Sequence, residues 1–380
     1  MSRRRARAQS QQLGTFRARL LYCRPVASAR ERARCRERLQ RLAESSLDRE
    51  SIQREAIVEL RRAIGFDRWC WPLADPHTLI PLGGAAEHDY GPGVARSLEL
   101  EYSGADVAAM DVLARRTIPV ASLSVETGRD LPRSPRWDEV LRPVGIGDEA
   151  VLACRDTLGC WGWIKAYRDT TDPPFRDHDL ELLSDVSSSL GYALRRRVDG
   201  AVDRGGVVPP SGPGVIVLDQ DLRPISSTPG ASNWIERMPA ANLFAAWGML
   251  PAVVYPIATL ARSSKRSNGA HALERTADGR WVRIEAAPLE GDGDGRIAVV
   301  LRSPSPAETF DLLCRSYALT RREQQLVATL IAGHDTRAVT EQLVISRHTV
   351  QDHLKSIFSK VGVHSRRELL AKFGASADGT

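Results

Sequence analysis

No stretch of the 380 residues approaches the 18 or so consecutive apolar positions that a membrane-spanning helix needs, so no membrane partner is expected. No apolar run follows the opening MSRRRARAQS, which argues against a secretory leader and for a cytoplasmic protein. The six cysteines, Cys23, Cys35, Cys70, Cys154, Cys160 and Cys314, form no C-x-x-C pair. That scatter suits reduced thiols rather than a disulfide framework or a zinc site. G-x-S-x-G, H-E-x-x-H, G-x-x-x-x-G-K-[ST] and a kinase-like glycine loop are all missing, so neither catalysis nor nucleotide-driven work is expected, and no cofactor or metal is called for. Lysine is scarce as well. Only 5 of the 53 basic residues are lysine, a bias that a GC-rich genome explains without any binding role.

What is present is charge, unevenly placed. Residues 1–41 carry 13 arginines against 2 glutamates, and residues 314–374 carry 10 basic against 5 acidic side chains. The whole chain is at +6, so the residues between are near −10. An acidic middle between basic ends assigns any polyanion contact to the ends. For residues 1–27 a solvated, flexible arm is the simpler reading.

Residues 29–42 read as a charged helix. After a break at Ser45-Ser46-Leu47-Asp48, a second helix places Ile52, Ala56, Leu60 and Ile64 on one face. Residues 65–168 lose helical period and gain turn signals at Asp75-Pro76, Gly83-Gly84, Gly91-Pro92-Gly93, Pro132 and Pro135. Two strands, 151–155 and 160–167, flank a tight turn, the second alternating through Trp161, Trp163 and Lys165. A long helix over 177–197 carries Leu180, Leu183, Val186, Leu190 and Leu194 on one stripe. Residues 205–214, rich in Gly and Pro, read as a linker. A smaller unit follows: a hairpin of 215–219 and 223–226, a helix starting near Ala231, and strands 270–275, 281–287 and 296–301. Hairpin connections imply an antiparallel sheet. No sequence repeat links the two units, and Ser303-Pro304-Ser305-Pro306 reads as a closing spacer.

The last segment is the most informative. Thr320-Arg321-Arg322-Glu323 is a capping box, the helix behind it buries Leu326, Val327 and Leu330, and Gly333 can end it. Asp335 or Thr336 caps a short helix with Val339 and Leu343 inward, and the tight turn Val344-Ile345 leads to Ser346. The third helix has Val350, Leu354, Ile357 and Val361 as its inner stripe, which turns Arg347, His348, Gln351, Asp352 and Lys355 outward. A fourth helix starts at Ser365 and carries Leu369, Leu370 and Phe373; the four short helices must pack together, and the fourth is expected to leave apolar residues exposed for pairing with a second copy.

LTRREQQLVATLIAGHDTRAVTEQLVISRHTVQDHLKSIFSKVGVHSRREL resembles the LuxR/FixJ-type helix-turn-helix family over about 55 residues. The resemblance implies a recognition helix, 346–361, lying in the major groove of duplex DNA. It implies DNA contacts from Thr336 and Arg337 on the preceding helix and from Ser346, Arg347, His348, Thr349, Gln351, Asp352, His353, Lys355 and Lys360 on the recognition helix. Ser346 and Thr349 would face phosphate. A basic residue is common in the family where Gln351 stands, and Gln pairs well with adenine N6/N7. Asp352 would repel phosphate, so it either accepts from cytosine N4 or tethers Arg347 or His348. Ala338 and Thr340 also depart from the family pattern.

Upstream, residues 28–200 resemble a GAF domain, on the paired late strands and PPFRDHDLELLSDVSSSLGYALRR; residues 213–304 resemble a PAS domain, on GVIVLDQDLRPISS and three closing strands. The chain is therefore expected to be multidomain. It would comprise a basic tail (1–27), an α+β GAF-like sensor (28–200), a linker (201–212), an α+β PAS-like unit (213–304) and an all-α four-helix helix-turn-helix unit (310–380). No ligand constellation stands out. Trp69, Trp71, Trp161 and Trp163 read as core before pocket, His77 and His88 as loop residues, Cys154 and Cys160 as buried thiols, and Gly291-Asp292-Gly293-Asp294-Gly295 as a turn rather than a calcium loop. The expected function is a sequence-specific transcription regulator acting as a homodimer on DNA, with RNA polymerase as a partner. A small-molecule ligand at the sensors would alter dimer geometry or uncover the DNA-binding face. The alternative is a GAF-linked RNA-binding antiterminator. A phosphorylated receiver and a one-domain acyl-lactone receptor fit the N-terminal pattern less well.

Overall fold

The computed structural model describes residues 27–87, 91, 93–107, 109–199, 212–263, 270–291 and 295–373. The basic tail up to Val26, nearly all of the expected linker, His88 and the centre of the Gly291–Gly295 turn lie outside the described residues.

Helices α1 (Ala29–Glu44) and α2 (Arg49–Ile64) start where local chemistry directs them. Ser28 and Glu31 form a reciprocal capping box, and the Asp48 carboxylate accepts from the Ser51 amide at 2.8 Å. Strands β1 (Arg68–Ala74) and β2 (Pro81–Ala86) follow, then α3 (Gly93–Ser103), β3 (Val120–Ser122), β4 (Ile146–Asp156), β5 (Gly159–Asp169) and the long helix α4 (Asp177–Arg195). The sheet order is β2-β1-β5-β4-β3, all antiparallel. Leu39, Leu60, Leu183, Val186 and Leu190 from the three long helices pack on Trp71 and Leu152. Each such side chain contributes roughly 1.5–3 kcal/mol by leaving water. The turn-rich segment thus holds three further strands, β1, β2 and β3, and a helix, α3, that its turn residues conceal in the sequence.

The tryptophans are buried, as expected, but not by simple alternation. The β4–β5 register shifts between Cys154↔Gly162 and Arg155↔Cys160. That bulge turns Trp161 onto the helix-covered face with Ile164, while Trp163 packs on the other face against Met110 and Leu113. Lys165 and Arg136 share a buried charge network. Arg136 pairs with Asp106 at 2.7 Å and with Glu149, and Lys165 Nζ is 2.8 Å from Glu101.

The second unit comprises β6 (Gly214–Leu218), β7 (Pro224–Ser227), α5 (Pro229–Ile235), a short helix at Ala241–Ala246, α6 (Val254–Arg262), β8 (Ala270–Arg275), β9 (Trp281–Pro288) and β10 (Ile297–Arg302). Its sheet, β7-β6-β10-β9-β8, is antiparallel as the hairpin pattern implies. Counted within each unit, both sheets run second, first, fifth, fourth, third. No sequence repeat hints at this. The two units meet directly: Ile80 joins the second core, and the Leu273 amide donates to Asp75 Oδ2 at 2.9 Å.

Residues 303–305 connect β10 to a further helix, α7 (Pro306–Ser316), that the spacer residues run straight into. Ser305 caps it in a reciprocal box with Glu308, and Pro306 sits at the first helical position, where a missing N–H costs nothing. Helices α8 (Arg321–Ile331), α9 (Thr336–Leu343), α10 (Arg347–Val361) and α11 (Arg366–Lys372) complete the chain. No described helix is long and apolar enough to cross a membrane.

Candidate nucleic-acid interface

The C-terminal unit is held by caps and one shared core. Thr320 and Glu323 form the reciprocal box at the head of α8, with the Thr320 amide donating to Glu323 Oε2 at 2.7 Å. Asp335 accepts from the Ala338 amide at 2.8 Å, which settles the choice between Asp335 and Thr336 as the α9 cap. Thr336 is then the first residue of that helix. Ser346 Oγ accepts from the Thr349 amide at 3.1 Å. Between α9 and α10 the chain reverses at Val344, a β-branched residue at φ 52° and 87% exposed. Arg322 donates to the Leu343 carbonyl, clamping α8 to the end of α9.

Val350, Leu354, Ile357 and Val361 are all buried against Leu326, Val327, Leu330 and Val339. The opposite side of α10 therefore faces out. Arg347, His348, Gln351, Asp352 and Lys355 are exposed there, and Arg337 is exposed on α9. Neither Arg347 nor Gln351 makes a side-chain hydrogen bond with any described residue. Asp352 lies 3.5 Å from His348 Nε2 and 4.0 Å from Lys355 Nζ, so of the two expected tethers it takes His348 and not Arg347. These contacts are exposed and weak, and a phosphate or base can displace them. Thr349 is half-buried with its hydroxyl 2.9 Å from Ser346 Oγ, and His353 is half-buried on the flank. Among the described residues nothing covers this face.

Lys360 is not brought to this face. It stands nine positions past Gln351, about two and a half turns on and hence on the far side. Its ammonium lies 2.7 Å from Glu323 Oε2, and Ser356 donates to Glu323 Oε1 at 2.7 Å. Burial acts against the Glu323 charge, but Lys360, Ser356 and the Thr320 cap outweigh it and hold the carboxyl down at about 2. Glu323 thus locks α10 to α8. Sequence reading found Glu323 as a cap and missed this second use, which joins residues more than thirty positions apart.

The fourth helix also departs from expectation. Leu369 and Phe373 are buried and Leu370 is half-buried. The reason is α7. Phe310 lies 5.7 Å and Tyr317 lies 6.2 Å from the Phe373 ring, ring centre to ring centre, closing over the apolar side of α11. The exposed pairing surface expected on α11 is absent.

One aspartate joins this unit to the rest. Asp199, just past α4, accepts from Tyr317 Oη at 2.5 Å and lies 2.7 Å from Lys372 Nζ, while Oδ1 accepts from Arg275 of β8 at 2.9 Å. Arg195 donates to the Ser316 carbonyl at 2.8 Å.

An outward helix with two free side chains, set on a rigid pair of shorter helices, is the construction of a helix-turn-helix, and residues 317–373 match the family model described as bacterial regulatory proteins, luxR family. The C-terminal unit is a luxR-family helix-turn-helix domain. Over 55 residues the chain is 42% identical to an HTH-type transcriptional regulator from the exeN 3′ region of Aeromonas salmonicida. That match covers 14% of this chain and 28% of the relative. Among solved structures, a Vibrio cholera VqmA–ligand–DNA complex aligns at 15% identity over 43% of this chain and 84% of that one, with a TM-score of 0.20.

Proposed function

We propose that the chain is a sequence-specific transcription regulator whose helix α10 reads duplex DNA in the major groove. The observation that carries this reading is the free, exposed face of α10, with Arg347, Gln351 and Lys355 clear of the protein, on a domain of luxR type. Gln351 is assigned to base readout. Lys355, Arg347 and Arg337 are assigned to phosphate, as are the Ser346 and Thr349 groups at the helix start. Lys360 is assigned to the fold. A homodimer reading two half-sites about one helical turn apart belongs to the proposal. Its pairing surface would then lie away from the covered apolar side of α11. RNA polymerase would be the partner of the bound regulator.

The two sheet units are read as sensors, the first GAF-like and the second PAS-like, and their shared strand order supports treating both as versions of one architecture. Because the recognition face is already open, control would act through the orientation set at Asp199 rather than by uncovering the face.

The test is selection of genomic fragments by the purified full chain, followed by titration of the selected duplex and a matched RNA. Lys355→Ala should weaken binding to every sequence and lower the slope of log affinity against log salt by about 0.9. Gln351→Ala should relax preference at one base pair, at about 1–3 kcal/mol. Uniform loss in both variants would remove the base-reading role, and equal binding of RNA and duplex would remove the DNA reading.

A further inference from the structure

Helix α10 carries a single acidic residue among its fifteen, Asp352. At about 100° per residue, Asp352 stands about 200° round the helix from Val350, opposite the buried stripe. His348, Lys355 and Ser359 share that crest with it, at the spacing i, i+4, i+7 and i+11, and all four are exposed. Gln351 lies to one side, about 100° from Val350. The Asp352 carboxylate is flanked along the crest: Oδ2 is 3.5 Å from His348 Nε2, and Oδ1 is 4.0 Å from Lys355 Nζ. These neighbours do not cover it, for its side chain remains 55% exposed. No described arginine lies within ion-pair distance of it, and Arg337 on α9 is paired with Glu341 at 3.1 Å. The point of α10 that stands furthest from the domain core is therefore negatively charged, on a face whose other charged groups are basic.

In a major groove the crest of the helix goes deepest, between walls of phosphate. A carboxylate accepts hydrogen bonds and donates none. The groove edge of the bases offers it two donors, the amino groups at cytosine N4 and adenine N6; guanine O6 and thymine O4 are acceptors. Opposite an amino group the carboxylate is satisfied. Opposite a keto oxygen it loses water, gains no partner and meets like charge. A lysine or arginine at the same place would instead take guanine and strengthen binding to any sequence. We infer that Asp352 is a specificity-determining residue that acts by exclusion: it admits an amino-bearing base edge beneath the crest, rejects a keto one, and so weakens binding to unrelated duplexes more than to the selected one. The inference rests on the DNA reading proposed above and adds to it which sequences the face refuses.

The test compares the full chain with Asp352→Asn on three kinds of duplex: the selected one, a scrambled one, and variants of the selected one with a single base pair reversed, which exchanges amino for keto on each strand. Asparagine keeps the size and an acceptor but adds an amide donor, so a keto edge becomes acceptable. Asp352 is exposed, so the substitution leaves the core intact. Asp352→Asn should bind the scrambled duplex about tenfold tighter and the selected duplex within about twofold of wild type. In wild type, reversal of the base pair beneath Asp352 should cost about tenfold in affinity, and in Asp352→Asn that cost should vanish. Equal tightening on selected and scrambled duplexes would mean that the carboxylate only weakens the overall attraction, and would overturn the inference. So would reversal costs that are the same in both proteins at every base pair. A wild-type chain that binds selected and scrambled duplexes alike removes the DNA reading itself, an outcome distinct from either of these, and the inference with it.

Discussion

At the scale of single residues, Glu323 does two jobs with one carboxylate, capping α8 and holding Ser356 and Lys360 of α10. Its side chain is 4% exposed, so water screens the pair little. A carboxyl held near 2 in the folded chain against an ordinary 4.5 stabilises the fold fully above pH 4.5 and loses that contribution as pH falls towards 2. Glu323→Gln should therefore lower the opening free energy of α8 and α10 amides by about 2–3 kcal/mol at pH 7. The gap to wild type should close between pH 4.5 and 2. Amide exchange on the full chain measures both. A gap that persisted at pH 2 would assign the loss to geometry rather than charge.

At the scale of elements, the reversal before α10 has Val344 in left-handed backbone, a conformation that costs a β-branched residue about 1–2 kcal/mol and glycine little. The side chain is exposed and packs on nothing, so Val344→Gly should stabilise the C-terminal helices by about 0.5–1 kcal/mol, allowing for glycine's greater freedom when unfolded. Exchange at α9 and α10 amides reads this directly. The same short-range chemistry explains what was legible in the sequence. The caps at Thr320, Ser346 and Ser365 and the inner stripe of α10 are local signals, and they located the outward face correctly. In the sheets, alternation and turn residues revealed β4, β5 and β8 to β10. Features made by distant residues were not legible. The bulge that turns Trp161 over depends on its β4 partner, and the burial of Phe373 depends on α7. The ion pair that turns Lys360 away from the outward face of α10, and the cavity that both Arg49 and Glu274 line, join segments far apart in the chain. Helix α7 was concealed differently: Ser303-Pro304-Ser305-Pro306 carries the residues of a linker and of a helix start alike, and only the continuation past Pro306 distinguishes them.

At the scale of the whole molecule, Asp199 draws together both sheet units and the helix-turn-helix domain through Arg275, Tyr317 and Lys372. Burial and the Asp199 charge together push the Tyr317 phenol well above its ordinary range. Asp199→Ala should bring that phenol down and raise amide exchange in α7 and α11 by about tenfold, equivalent to roughly 1.4 kcal/mol of lost restraint. Base preference at the Gln351 position should stay unchanged, because the recognition face does not touch Asp199. A variant with wild-type exchange in both helices would show that the aspartate does not hold the domain. The cavity between the sheet units and this junction share β8: Glu274 lines the one and Arg275 anchors the other.

The four described lysines have a further use. Lys165, Lys360 and Lys372 each have their ammonium held by a carboxylate, whereas Lys355 is 79% exposed and has only a 4.0 Å contact. An amine-directed acylating reagent at neutral pH should therefore mark Lys355 ahead of the other three. The chain thus carries its own chemical reporter at the centre of the proposed DNA face: occupancy of that face can be read by mass spectrometry as protection of one amine from acylation.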